Sequence, residues 1–353
     1  MRAPSIRAVV ATAAAVAVFV AGSLLIPRPP QLSDDTGGDA ALVSEVRRLL
    51  EPHPAVRDRL SVAVIDGADV RVAHFGATDD TEYEIGSVTK TVTGSLLADA
   101  VERGEVDGAT PLGDLLDLGG SDAASITLDE LATQSSGLPR LPLSAGMVVS
   151  AIVANFRASD PYGSTLADLE ADARASAVGE KEYLYSNFGF ALLGQALVVA
   201  AGADDYESLA ADRVFGPLGM ADSYAPDSVE GLRDTAVSGS TATGRTADPW
   251  TLAADSPAGS ARSTLADMVV YARAQLDGTA PGVDATEPRA GIGGDGRIGY
   301  AWVTTDGVTW HNGQTGGYSS WVGFDREADR AVVVLNATSV SVDELAFALM
   351  DGE

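Results

Sequence analysis

The chain has 353 residues, 46% of them hydrophobic, with 38 glycines, 16 prolines and no cysteine, enough for one large two-part domain or two ordinary ones. The lack of cysteine excludes disulfides, thiolate metal sites and cysteine nucleophiles, and His53, His74 and His311 alone are too few and too scattered for a zinc hydrolase. A formal net charge of −27 argues against nucleic acid as a partner, because its phosphates would be repelled.

The first residues read as a targeting segment. Arg2 and Arg7 precede an uncharged apolar run at residues 8–26. Its 19 residues exceed the roughly 7–15 of a signal-peptide core and approach the roughly 20 that cross a bilayer. Residues 1–26 therefore read as a signal peptide or an N-terminal membrane anchor, with small residues at Ala21, Gly22 and Ser23 that would permit cleavage. Arginines before the run and Asp34 and Asp35 beyond it put the body outside the cytoplasm, either secreted or held at the cell membrane. Residues 27–39, with their prolines, aspartates and glycines, read as an exposed linker.

Residues 40–50 carry apolar positions at helical spacing. Residues 61–65 and 70–75 are two β-rich runs around a turn, the pattern of a hairpin. A helix ending near Arg103 follows, and Thr127 opens another with the pattern of a capping box. Residues 140–180 offer few landmarks. Residues 188–201 and 204–214 read as helices, the second ending at Phe215-Gly216-Pro217, residues 223–250 as loop, and residues 264–276 as a helix. From Ile298 the character changes to strands, at 300–304, 308–311, 320–324 and 331–336, before a last helix at 342–350. Strands at both ends with helices between imply one sheet assembled from the two termini.

Three local patterns carry chemistry. The first is Ser87-Val88-Thr89-Lys90, which contains one of the only two lysines in the chain. Positions i and i+3 share a helix face, so the hydroxyl and the amine are neighbours, and a serine beside a proton acceptor is an activated nucleophile. Taken alone the pattern is short, and a surface lysine one turn from a serine satisfies it equally. The second is Tyr185-Ser186-Asn187, where a phenol can relay a proton and an amide can both donate to and accept from a substrate. An asparagine cap on a loop is its plainer explanation. The third is His311-Asn312-Gly313-Gln314, where glycine lets a substrate approach a strand closely and the following amide N–H can bind an oxyanion. A glycine-rich hairpin turn would explain the glycines but leave His311 idle. His74-Phe75-Gly76 matches the same short pattern inside the first hairpin and reads as structural.

The order Ser-x-x-Lys, Tyr-x-Asn, His-x-Gly resembles the serine hydrolases of the class C β-lactamase and penicillin-binding-protein family, which includes D-alanyl-D-alanine carboxypeptidases, D-aminopeptidases and esterases. The likeness extends over roughly residues 40–350 and takes in the Ser136-Gly137-Leu138-Pro139 turn and the Pro217-Leu218-Gly219-Met220 helix ending. It implies an α+β fold, an α/β sandwich of the β-lactamase/transpeptidase type in a domain of residues 40–353. The α/β part would span about 40–92 and 255–353, and the inserted helical part about 93–254. By the same resemblance Ser87 is the acylated nucleophile, Lys90 its base or electrostatic partner, and Tyr185 the proton shuttle. Asn187, His311, Gly313 and Gln314 would bind substrate, and the backbone N–H groups of Ser87 and Gln314 would form the oxyanion hole.

No cofactor or metal is implied. The partner is a small-molecule or peptide substrate, first a D-alanyl-D-alanine-type peptide, with a β-lactam or an ester as alternatives. A non-catalytic penicillin-recognising module is the alternative outside enzymes. Two positions depart from the family pattern: Asn312 stands where a hydroxyl residue is usual in carboxylate recognition, and Gln314 where Ser or Thr is familiar. Both weigh against a β-lactamase more than against a hydrolase. A neutral Lys90 at pH 7 requires its pKa to fall about three units from near 10.4, whereas a charged Lys90 would instead stabilise a basic tyrosinate at Tyr185.

Overall fold

Alternation along two hydrogen-bonded strands separates two cores. In β2 (Leu60–Asp66), Leu60, Val62 and Val64 point to one side of the sheet and Ala63 and Ile65 to the other. Its antiparallel partner β11 (Arg330–Asn336) repeats the division, with Val332 and Val334 on the first side and Ala331, Val333 and Leu335 on the second. Period-two alternation on a sheet buried on both faces produces this split. The computed structural model describes residues 30–53 and 55–352, so the apolar run at 8–26 lies outside the described residues. No single described helix is long and apolar enough to cross a membrane.

The main sheet has nine antiparallel strands, adding β1 (Thr36–Gly38), β3 (Asp69–Phe75), β6 (Ala290–Gly293), β7 (Gly296–Ile298), β8 (Val303–Thr305), β9 (Val308–Gln314) and β10 (Ser319–Asp325). Their order is β1-β3-β2-β11-β10-β9-β8-β7-β6, so the N-terminal hairpin joins the C-terminal strands through β2 and β11. The sheet built from both termini is present as expected. Helices α1 (Ala40–Leu50) and α10 (Asp343–Asp351) cover one face, burying Leu42, Val46, Leu345 and Leu349 against Trp321 and the β2 and β11 valines. The other face carries α2 (Thr89–Glu102), α9 (Leu265–Leu276) and the helical region. That region holds α3 (Leu128–Ala132), α4 (Ala145–Arg157), α5 (Leu166–Ala175), α6 (Asn187–Ala201), α7 (Tyr206–Ala210) and α8 (Gly216–Leu218).

Several boundaries differ from the sequence expectation. Thr36–Gly38 is not free linker but an edge strand paired with β3, and Asp39 caps α1 by accepting from Leu42 N. Helices α4 and α5 occupy the stretch that showed few landmarks. The helical path begun at Tyr206 passes through Phe215-Gly216-Pro217 and stops at Leu218, where left-handed Gly219 caps it. A proline in the first turn of a helix costs no hydrogen bond, so it does not end the path here. Residues 299–302 are not strand: Ala301 has φ 68° and Tyr300 N bonds to Ala285 O. Two short strands at Ala290–Gly293 and Gly296–Ile298 replace them, their glycines having hidden any β signal.

Candidate active site

A tight turn at Gly86–Val88 carries Ser87 directly into the first turn of α2. Gly86 has φ 50°, and a Cβ there would lie 2.7 Å from Gln314 N. At Gly313 an added Cβ would lie 2.0 Å from Ile85 O and 2.4 Å from Ser320 Oγ. Ser320 Oγ donates to Ile85 O at 2.7 Å. Two glycines and one hydroxyl thus press the nucleophile turn against β9, with the backbone of Gln314 against Gly86, the residue before Ser87.

Lys90, in the first turn of α2, is fully buried, its Nζ 3.1 Å from Ser87 Oγ and donating to Ala258 O at 2.5 Å. The rings of Tyr185 and Phe190 lie 5.0 and 5.8 Å from Nζ. Burial, and secondarily the charge of Arg140, holds the Lys90 amine well below its ordinary pKa. Tyr185 lines the cleft with Ser87, its ring against the Lys90 amine, and burial pushes its phenol up to about 12. The three predicted catalytic side chains therefore meet.

Ser186 caps α6 by accepting from Gly189 N at 2.9 Å, which places Asn187 at the helix start. Asn187 Nδ2 donates to Tyr162 OH at 2.9 Å, while its Oδ1 is buried without a partner. An acceptor left open in this way is available to a substrate N–H.

Ser87, Tyr185, Asn187, Gly313 and Gln314 line one cleft of about 910 Å³, together with Arg140, Tyr162, Trp250 and Ser339. His311 does not reach this cleft. It is buried behind Tyr185 (ring centroids 6.4 Å apart), lines a separate cavity of about 100 Å³, and its Nδ1 pairs with Asn312 O at 2.6 Å. Burial and the charge of Lys90 lower its pKa to about 3, leaving a neutral ring that supports Tyr185 from behind. Asn312 turns its amide to Asp343 at the start of α10, donating to both carboxylate oxygens at 3.1 and 3.0 Å. Gln314 donates from Nε2 to Ser339 O at 2.6 Å, so it serves the site through its backbone. His74 is spent on Ser61 and Asp79, each at 3.0 Å, as the structural reading expected.

Other functional positions had no local sequence signal. Arg140 follows the Ser-Gly-Leu-Pro turn and places its guanidinium carbon 4.9 Å from the Tyr185 ring centroid. Buried Arg262 bonds Glu82 and Glu84, the latter at 2.9 Å, and Glu84 also accepts from Trp250 N at 3.0 Å. This buried triad fixes the Trp250 wall of the cleft through the small β4 (Tyr83–Glu84) and β5 (Arg262–Ser263) pair. Among the described residues no His, Cys, Asp and Glu cluster could hold a metal ion.

The arrangement can be set beside known proteins. Comparison with curated proteins gives no match. The fold is similar to a class C beta lactamase from Rhodobacter sphaeroides, with TM-score 0.74 and 20% identity over 89% of this chain and 98% of that one. A D-alanine carboxypeptidase AmpC from Burkholderia cenocepacia gives 0.72 at 21% identity over 89% and 100%. A beta-lactamase/D-alanine carboxypeptidase from Yersinia pestis gives 0.69 at 22% over 89% and 99%. At these identities the likeness establishes the β-lactamase/transpeptidase-like α+β fold. The model of the family described as Beta-lactamase aligns with residues 46–349, which takes in the nucleophile turn, the Tyr-Ser-Asn cap and β9, and the chain belongs to that family.

Proposed function

We propose that the protein is a serine hydrolase that acylates Ser87, with Lys90 as general base and Tyr185 as proton donor. The observation that carries this reading is the opposed pair of pKa shifts: burial lowers Lys90 and raises Tyr185 to about 12. Lowering the amine makes it readier to give up its charge and accept from Ser87, and raising the phenol makes it keep its proton, which favours Lys90 over a tyrosinate as base. Ser87 Oγ attacks the substrate carbonyl and its proton passes to Lys90, 3.1 Å away. The developing oxyanion lies between the N–H groups of Ser87 and Gln314. Collapse releases the leaving group, which takes a proton through Tyr185, and water then attacks the ester on Ser87 to regenerate the hydroxyl.

Asn187 Oδ1, buried and unpaired, suits an acyl part that carries an amide N–H, as a peptide does. D-alanyl-D-alanine-type peptides are thus the leading substrate class, with β-lactams and simple esters as the other candidates. With Asn312 committed to Asp343, β9 presents no side-chain hydroxyl at that position for a substrate carboxylate, a departure that bears on β-lactams and D-alanyl-D-alanine peptides alike. The N-terminal apolar run supports an extracytoplasmic address, and cell fractionation with external protease treatment tests it.

Intact mass after exposure to β-lactams, D-alanyl peptides and esters tests the chemistry. The expected result is an acyl adduct on the wild type that is absent from Ser87→Ala. No adduct and no turnover with any of the three would leave only the non-catalytic module.

A further inference from the structure

Acidic side chains outnumber basic ones in this chain, 50 against 23, yet the cleft inverts that balance. Among the described residues lining it there is no Asp or Glu, and the charged side chains are Arg140 and Arg245. The two are not equivalent. Arg245 is committed to the backbone, donating to Phe156 O at 2.8 Å. Arg140 makes no ion pair among the described residues, and its guanidinium carbon sits 4.9 Å from the Tyr185 ring centroid. Its backbone carbonyl accepts from the N–H of Asn187, at 3.0 Å, so cation and open amide acceptor stand on one wall.

Behind β9, Asn312 donates to both oxygens of Asp343, a carboxylate that does not line the cleft. On the Tyr162 side the buried carboxylate of Asp160 does not line the cleft and accepts from the N–H groups of Tyr162, Thr251 and Leu252, each at 2.9 Å. An unpaired arginine in a carboxylate-free cleft of an acidic protein is an anion site, since guanidinium pairs well with carboxylate.

We infer that the substrate carries an anionic group, a carboxylate, on its acyl part, and that Arg140 selects it. This rests on the acyl-enzyme reading above and adds the charge and its side of the scissile bond. Proteolytic and esterolytic substrates with an acidic residue or a dicarboxylic half-acid on the acyl side belong to this class.

The test compares kcat/KM for p-nitrophenyl hydrogen adipate, p-nitrophenyl hexanoate and p-nitrophenyl 6-aminohexanoate, with 3-carboxyphenyl and phenyl hexanoate as the leaving-group arm. Background hydrolysis is subtracted with Ser87→Ala. The expected preference for adipate over hexanoate is about tenfold at low ionic strength, equivalent to about 1.4 kcal/mol, and it shrinks in salt. Arg140→Gln brings the ratio near one, and Arg140→Lys keeps most of it. The ratio at one pH isolates binding of the anion from any change that Arg140→Gln makes to Lys90. A ratio unchanged in Arg140→Gln, a preference for the neutral or cationic ester, or an anion preference confined to the leaving group overturns the inference while leaving the hydrolase intact. Failure of every ester together with no adduct on Ser87 overturns both.

Discussion

Lys90 has no carboxylate partner; it meets a serine hydroxyl, a backbone carbonyl and two aromatic rings. A buried amine in such a place loses its proton more easily than a solvated one, so activity depends on pH in a definite direction. Below the folded pKa the amine is charged and cannot accept from Ser87; above it the base is ready. The kcat/KM profile should therefore rise through one ionisation well below 10.5, and Lys90→Arg, which stays charged, should lose about 10²–10⁴-fold. A limb that rises only near the ordinary lysine value would sink the assignment. Tyr185→Phe should divide substrates by leaving group. Amides, whose amine must be protonated on departure, should lose about 10²–10⁴-fold, and p-nitrophenyl esters far less, as single-turnover acylation rates will report. Gly313→Ala places a methyl against Ile85 O and should cost about 1–3 kcal/mol in urea unfolding together with most of the activity.

At the scale of elements, the position of Ala258 decides how Lys90 is held. The turn at Ala253–Ala258 carries left-handed Leu252 and Ala253 at its start and presents Pro257 O to Thr93 at 2.8 Å and Ala258 O to Lys90. It can come so near because α6 has Gly194 at the contact, where a Cβ would lie 2.1 Å from Pro257 Cβ. Helix propensity alone predicts that Gly194→Ala stabilises by about 1 kcal/mol. The contact predicts the opposite: lower thermal stability and a larger loss in kcat/KM, as the turn shifts away from α2. Higher stability with unchanged activity would show that the turn is not pinned there. Much at this scale was legible, including the capping box of Thr127 and Glu130 and the terminal hairpins. Helix α4 was not, because Val148, Val149, Ile152, Val153 and Phe156 are exposed and the usual polar face is missing. Helix α5 did carry a signal, Thr165 and Asp168 in a reciprocal cap, which the alanine-rich surroundings masked.

At the scale of the molecule, Asp255 is fully buried with neither carboxylate oxygen paired, and burial lifts its pKa to about 7. The unfolded chain releases that proton near 3.8, so a penalty grows as pH climbs from about 4 to about 7 and then levels off. Asp255→Asn should therefore stabilise more at pH 8 than at pH 5 in thermal unfolding; an equal effect at both would place the carboxylate in water. This site, like Arg140 and the Arg262–Glu82–Glu84 triad, was invisible to sequence reasoning because its neighbours come from distant segments. The meeting of Ser87, Lys90 and Tyr185 was legible because each belongs to a motif of short spacing. His311 shows the limit of such spacing: the motif was right in register, but the residue's ring packs behind the site and not in it.

The hydrogen bond from Ser320 to Ile85 joins positions 235 residues apart. A polypeptide leaving the ribosome N-terminus first exposes its nucleophile while the strand that must flank it has yet to be translated. Until that strand arrives the serine has no anion-binding partner opposite it, so a nascent or prematurely terminated product is chemically silent. The arrangement around Ser87 is therefore completed only once the C-terminal strands are in place.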